Sequence, residues 1–183
     1  MAKIGLTNLK FSKLDENENV TTPQSLGKAV SCKVSVETNS ATLFADDALA
    51  ESDYSFKSGT ITLEVDEDED TIFATLLGHA VDEETGEVVS KATDTAPYVA
   101  VGRILTKMVN GTRKYKAEFL SKVQFKEPAP DEKTKGETLE FGTTSIEGTI
   151  LQKADGEWNR KQTFDTLAEA QTYLTGLLTA KAS

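Results

Sequence analysis

The chain of 183 residues carries a formal net charge of −10 and contains one cysteine and one histidine. Its length suits a single domain, residues 1–183, with one sizeable core, and its acidity argues against binding nucleic acid through the phosphates, because such binding needs a cationic surface. No stretch approaches the roughly 18 apolar residues of a membrane span, and the N-terminus lacks a hydrophobic signal core, so we expect synthesis in the cytosol.

Residues 1–23 are mixed and polar after an apolar start. The stretch 15–19 (DENEN) indicates a turn, and no periodic pattern fixes the remainder. We therefore expect an N-terminal arm rather than a regular element here.

Two segments then alternate between apolar and polar residues with the period of two that is typical of half-buried strands: 30–37 (VSCKVSVE) and 60–65 (TITLEV). Pairing them antiparallel would bury their apolar faces together. The polar face of this predicted hairpin would carry Lys33, Ser35, Glu37, Thr60, Thr62 and Glu64.

Residues 38–58 lie between these two segments and predict a long loop. Loops of this length inside a compact domain are unusual and are either functional or disordered. The segment is too apolar for a freely solvated tether, so we expect that its own chain or a neighbouring chain covers it.

The acidic run 66–70 precedes apolar residues at helical spacing up to Leu77, and Gly78 follows. This pattern predicts a short helix, because carboxylates favour a helix N-terminus and glycine commonly ends a helix. The run also begins like a calcium-binding loop, but Thr71 and Leu77 stand where that loop needs Gly and Glu. A solvated helix start is the favoured interpretation, with adventitious cation binding as the alternative.

In the second half, Asn110-Gly111 predicts a tight hairpin between strands at 98–106 and 112–126. Further strands are expected at 139–141 and 146–152, after a solvated loop. In the second hairpin strand one face is predicted to carry Tyr115, Ala117, Phe119, Val123 and Phe125, with Leu120 breaking the pattern.

A C-terminal helix is predicted over residues 165–180. Asp165 or Thr166 can cap its N-terminus. Its apolar stripe consists of Leu167, Ala170, Leu174, Leu177 and Leu178.

Catalytic chemistry has little support in this sequence. Cys32 lies on an apolar strand face and is expected to act as a small core residue rather than a reactive thiol. His79 follows a helix end, where a structural role is favoured over a catalytic one. The sequence contains no nucleotide-binding glycine loop, nucleophile elbow or paired-cysteine motif, so we expect no enzyme activity, no cofactor and no metal site.

Several short segments, taken in order, resemble the major tail protein (tail tube protein) of long non-contractile tailed phages of Gram-positive bacteria. They cover nearly the whole chain, and their order and spacing are more specific than any one of them. The segments are 1–6 (MAKIGL), 41–47 (ATLFADD), 51–53 (ESD), 76–79 (LLGH), 96–102 (APYVAVG), 134–136 (TKG) and 146–149 (IEGT).

The resemblance implies a structural virion protein with a β-sandwich fold, a short helix after the first hairpin and a C-terminal helix. In that family six subunits join their inner sheets into a closed barrel, and the rings stack into a tube that conducts DNA from capsid to host cell. The implied partners are further copies of the chain, a tape measure protein in the lumen during assembly, a tail terminator, and distal tail or baseplate proteins. DNA would pass without specific binding, and the protein would be made in the host bacterial cytoplasm and reside in the virion tail.

On this interpretation the 38–58 segment is the expected contact between rings, with packing over its own domain as the alternative. The expected inter-ring residues are Leu43, Phe44, Asp46, Asp47, Glu51, Tyr54 and Phe56. The polar face of the first hairpin would line the bore, joined by Thr138 and Glu140. Other hypotheses are the inner tube of a contractile injection machine, a headless tail particle, and a monomeric β-sandwich binding module.

Overall fold

The structure is a computed structural model that describes residues 2–45, 48–66, 70–82, 84–128 and 144–179, with the backbone alone described for 2–3, 29, 41–45, 48–53 and 70. The strands are β1 (Ala2–Leu14), β2 (Val20–Ser25), β3 (Ala29–Ala45), β4 (Ala48–Val65), β5 (Ala80–Val81), β6 (Val88–Val89), β7 (Tyr98–Val109), β8 (Thr112–Phe125), β9 (Thr144–Leu151) and β10 (Asn159–Phe164). The helices are α1 (Asp70–Leu77) and α2 (Leu167–Leu178). Within the described residues, neither helix combines the length and the apolar character needed to cross a bilayer.

The main sheet is antiparallel, with the strand order β2-β1-β7-β8-β9-β4-β3 and β10 paired with β8. One edge of β8 pairs with β7 along most of its length. The other edge pairs first with β10, over residues 115–120, and then with β9, over residues 122–125. The sheet therefore divides at β8 into two branches.

Ser121 lies at this division and is fully buried. Its backbone N–H donates to the Trp158 carbonyl oxygen at 3.0 Å, and its hydroxyl donates to Glu157 at 2.7 Å. The backbone N–H and the hydroxyl of Ser121 are thus both satisfied where β8 changes partner, as burial requires.

The same position carries a β-bulge, because Val99 pairs with Val123 whereas Val101 pairs with Leu120. The extra residue in β8 reverses which side chains face which side of the sheet. Ala117 and Phe119 therefore pack under α2, while Leu120, Val123 and Phe125 enter the other core, so the single apolar face predicted for this strand is wrong.

The larger core contains residues from both ends of the sheet. Leu9 and Phe11 of β1 lie in one buried cluster with Ile61, Leu63 and Val65 of β4. In a flat sheet β1 and β4 would be about 19 Å apart, four strand spacings of about 4.8 Å. The sheet therefore folds over on itself, and the predicted mainly β, sandwich-like fold with two helices is confirmed.

The second core lies between the outer sheet face and α2, whose Ala170, Leu174 and Leu178 are fully buried. A Cβ at Gly102 would lie 2.7 Å from Leu174 Cδ1, so the absent side chain lets the helix approach the sheet closely. Thr166 caps the helix through a capping box with Glu169, which confirms the predicted cap.

Two other local predictions are confirmed. α1 ends at Leu77 and Gly78 follows with φ +80, the left-handed conformation that ends helices readily when the residue is glycine. Asn110 and Gly111, with φ 49 and 80, form the two-residue turn between β7 and β8. The strand predicted at 139–141 lies outside the described residues.

The N-terminal segment is not a separate arm. β1 pairs with β7, and its Leu9 and Phe11 are 2% and 0% exposed. The prediction was wrong because long-range pairing, rather than a local pattern, orders this segment. Register shifts in β1, one of them beside Asn8 with φ 55, also obscure its alternation.

Residues 38–58 are also not a loop. β3 and β4 remain paired from Thr38 opposite Phe56 to Ala45 opposite Ala48. Bulges at Glu37/Thr38 and Leu43/Phe44 interrupt the alternation, which is why the sequence did not indicate strands there. We call residues 38–58 the hairpin arm.

A buried ion pair joins the two layers of the sandwich. Arg103 of β7 contacts Glu118 of β8 through Nε at 2.7 Å and Nη2 at 2.5 Å, and its Nη1 donates to the Cys32 carbonyl oxygen of β3 at 2.9 Å. Burial alone would raise the pKa of Glu118, but Arg103 and Lys161 outweigh it and lower the pKa to about 2. Burial raises the pKa of the Cys32 thiol, which packs against the larger core.

Replacing Arg103 with alanine should lower the free energy of unfolding by about 3 kcal/mol, because it leaves a buried carboxylate and a carbonyl oxygen without their partner. Urea unfolding at pH 7 measures this, with Arg113→Ala at the exposed end of the same hairpin as the control, expected within about 0.5 kcal/mol of the wild type. Equal losses in the two variants would contradict the assigned role of the Arg103 pair.

Candidate assembly surfaces

The hairpin arm is two-stranded along most of its length. β4 pairs with β9 only as far as Gly59, so among the described residues β3 is the only strand paired with β4 beyond that point. Tyr54 of the arm is 64% exposed. An isolated two-stranded hairpin is marginally stable in water, so contact with another surface would stabilise the arm.

The base of the arm is fixed within the chain. Phe56 stacks on Trp158, with ring centroids 4.5 Å apart and an interplanar angle of 9°. Phe56 therefore packs on its own domain, which was the alternative to a contact between rings, whereas Tyr54 points to solvent. Sequence analysis missed Trp158, although it is the only tryptophan of the chain and such a ring commonly anchors a packed surface.

The structure describes only some of the other residues that were expected to contact the next ring. Asp46 and Asp47 lie outside the described residues. Leu43 and Phe44 lie on β3 and Glu51 on β4, in the part of the arm where only the backbone is described.

The residues expected to line a bore do share one face. Cross-strand partners project to the same side of a sheet, and Lys33 pairs with Thr62, Ser35 with Thr60, and Ser31 with Glu64. Cross-strand pairing continues this face onto β9 and β8, and sequence analysis did not include the residues of those two strands. This surface, which we call the polar face, carries Lys33, Ser35, Glu37, Thr60, Thr62, Glu64, Gln124, Ser145, Glu147 and Thr149. The expected Thr138 and Glu140 lie outside the described residues.

Charges on the polar face are mixed. Glu37 accepts a hydrogen bond from Ser58 at 3.3 Å and lies 3.8 Å from the Lys57 ammonium. Glu147 forms an ion pair with Lys126 at 2.6 Å. With Lys33 on the same face, the surface is far closer to neutral than the net charge of the chain suggests.

The outer edge of β3 is a second candidate surface. β3 ends the strand order, so within the described part of the chain the second edge of this 17-residue strand has no partner strand. It contains no proline and one lysine, Lys33, although edge strands usually carry such features to prevent unwanted pairing. Val30 and Val36 are 53% and 41% exposed, so the edge is suited to pairing with another strand.

His79 lies away from these surfaces and connects three segments. Nδ1 is 2.8 Å from Asp94, Nε2 is 2.6 Å from Glu127, which lies two residues past the end of β8, and the backbone N–H donates to the Ala74 carbonyl oxygen of α1. Its side chain is 9% exposed. The hydrogen bond to Asp94 raises the pKa of His79, and Glu127 adds to this effect while burial opposes it. Within the described residues, no group of three or more potential ligand side chains could hold a metal ion.

Because the pKa of His79 is raised in the folded state, its contribution to stability should be complete below the ordinary histidine pKa of about 6.5 and should be lost as the pH rises through the folded-state pKa. The chain has one histidine, so its imidazole NMR signal reports this titration without ambiguity. Asp94→Asn should lower the titration midpoint, whereas the control Glu84→Gln, on the exposed neighbouring turn, should leave it unchanged. An unshifted midpoint in Asp94→Asn would contradict the assigned pairing.

Comparisons with known proteins do not name a family. No protein-family model matches the sequence, and no curated protein matches it either.

Proposed function

We propose that this chain is the subunit of a phage tail tube, a structural protein that polymerises as stacked hexameric rings and conducts DNA from capsid to host cell. The observation that carries the proposal is the hairpin arm, a projecting two-stranded element with an exposed aromatic residue and a firmly anchored base. An element of this kind is stabilised when a second surface covers it. The sequence resemblance supplies the kind of assembly.

Lateral association would use the unpaired edge of β3. Pairing this edge with a strand of the next copy satisfies its free backbone groups, and closing the ring removes every such edge. The polar face would then continue from subunit to subunit around the bore. Its nearly balanced charge suits a channel through which DNA slides, because a strongly cationic wall would retain the phosphates.

Stacking of rings would use the hairpin arm. A head-to-tail contact that does not close on itself produces an open filament, and an arm that projects from the domain provides such a contact. The proposal includes the partners that the resemblance implies, namely a tape measure protein in the bore and terminator and distal tail or baseplate proteins at the ends.

Replacing residues 39–55 with Asn-Gly tests the role of the arm. Thr38 and Phe56 are directly opposite each other, so a two-residue turn can join them in register and keep the stack on Trp158. The shortened chain should unfold within about 1 kcal/mol of the wild type, yet form no tubes by electron microscopy when the wild type does. Tube formation by the shortened chain would show that the arm is not needed for stacking, and a wild type that stays monomeric at high concentration would favour a binding module instead.

The polar face can be tested by reversing charge. Changing Glu37 and Glu64 to lysine should make the bore cationic and slow DNA ejection from assembled virions, most strongly at low salt where screening is weakest. A matched control changes Glu16 and Glu84, which are exposed on other turns, to lysine. Ejection at the wild-type rate from intact tubes of the first variant would mean that these side chains do not line the bore.

A further inference from the structure

The proposed pairing of β3 involves only the part of the sheet that contains β3, β4 and β9. Another part consists of four strands in the order β1-β7-β8-β10, each antiparallel to the next. We call these four strands the four-strand segment. Both of its outer edges are open over several residues, one on β1 and one on β10.

The first open edge is the N-terminal half of β1. β7 pairs with β1 from Ala2 to Lys13, whereas β2 pairs with it only over residues 10–14. Among the residues that the structure describes, no strand covers the second edge of residues 2–8. Ile4 in this stretch is 50% exposed, and Gly5 and Thr7 are exposed as well.

The second open edge belongs to β10. This strand pairs only with β8, so its other edge has no partner strand in the described part of the chain. Residues 160–163 are exposed, and β10 contains no proline. The edge strand β2, in contrast, contains Pro23, which has no N–H to donate to a ladder. The β10 edge is therefore the better suited of the two for pairing with another strand.

The two open edges end the same rows of cross-strand neighbours. Thr7 is in register with Ile104, Ile104 with Ala117, and Ala117 with Gln162. The same relation connects Leu6 with Thr163 and Gly5 with Phe164. A second copy placed one strand spacing beyond β1, without a shift along the strands, would bring its β10 beside β1. The two strands would run antiparallel, as a regular antiparallel ladder requires.

The side chains at these edges fit such a junction. Thr7 and Gln162 are polar and exposed, so they can form a hydrogen bond across it. A Cβ at Gly5 would have no heavy atom within 4 Å, and an aromatic ring on the neighbouring strand, here Phe164 of the second copy, stabilises an edge glycine by covering it. Residues 4–8 and 162–164 carry no charged side chain, so the junction adds no repulsion between acidic copies.

We propose that the open edge of β1 in one copy pairs with the open edge of β10 in a second copy, through residues 5–7 of the first and 162–164 of the second. This inference rests on the proposed tube assembly and names a second lateral contact within each ring. The contact joins two different edges, so each copy offers one edge and receives the other, which is the arrangement of a closed ring. The β3 contact would continue one part of the sheet into the next copy, and this contact would continue the four-strand segment.

A disulfide between copies tests the proposed register. The variant is Thr7→Cys with Gln162→Cys, in a Cys32→Ala background that removes the native thiol. Within one chain the two positions are three strand spacings apart, about 14 Å, which is too far for a disulfide. Oxidation of assembled tubes should therefore give a ladder of covalent oligomers of up to six chains on a non-reducing gel.

The matched control is Thr7→Cys with Gln171→Cys in the same background, because residue 171 lies on the exposed face of α2. This control should give no ladder. Tubes of the Thr7→Cys, Gln162→Cys variant that yield only single chains after oxidation would overturn the contact. A ladder that ends at two chains would overturn its place in a closed ring.

A second test changes the charges at the junction. Thr7→Lys with Gln162→Lys places like charges opposite each other between copies, whereas Thr7→Lys with Gln162→Glu places opposite charges there. Neither wild-type side chain has a hydrogen-bond partner among the described residues, so both monomers should stay folded. The concentration needed for tube growth should rise about tenfold in the first variant and stay within about twofold of the wild type in the second, because the pair recurs in every subunit.

The outcomes separate the two proposals. Tube growth by the Lys–Lys variant at the wild-type concentration would overturn the β1–β10 contact and leave the tube assembly intact. Equal impairment of the Lys–Lys and Lys–Glu variants would also overturn it, since direct pairing distinguishes the two. A wild type that never polymerises would overturn both proposals.

Discussion

The division of the sheet at β8 is the constraint on which the rest of the architecture depends. β8 exchanges β10 for β9 on one edge while it keeps β7 on the other, and at that exchange the Ser121 backbone N–H donates to the Trp158 carbonyl oxygen. The accompanying bulge reverses the alternation, so Val123 and Phe125 enter the larger core, whereas Ala117 and Phe119 before it pack under α2. Without the bulge, Val123 and Phe125 would lie on the same side of the sheet as Ala117 and Phe119, and the larger core would lose both side chains.

Local chemistry explains which elements could be predicted. The Asn110-Gly111 turn, the Thr166 cap and Gly78 after α1 act through dihedral preferences and nearby hydrogen bonds, and each was found at the expected place. The N-terminal strand, the arm and the β8 bulge depend on pairing with residues distant in sequence. Register shifts in these strands break the apolar–polar alternation, because each added residue moves the following side chains to the opposite face of the sheet. The predictions from alternation were wrong at those places.

The candidate surfaces show the same contrast between local signals and long-range pairing. The polar residues of β3 and β4 were predicted from strict alternation, and their common face follows from the register. Glu147 and Gln124 join that face only through the strand order, which the sequence does not contain. Phe56 was grouped with Tyr54 by apolar character alone, yet the stacking partner Trp158 separates an anchored ring from an exposed one.

Electrostatics sets a condition on any assembly of this chain. Each copy has a net charge of −10, so copies repel one another at long range, and that repulsion is screened beyond about 10 Å at ordinary salt. Pairing of strand edges supplies hydrogen bonds but does not offset this repulsion. The two proposed contacts differ in geometry, since pairing of β3 edges can close a ring, whereas a head-to-tail contact of the hairpin arm need not close on itself. A chain that made both contacts would therefore build a closed ring in one direction and an open stack in the other.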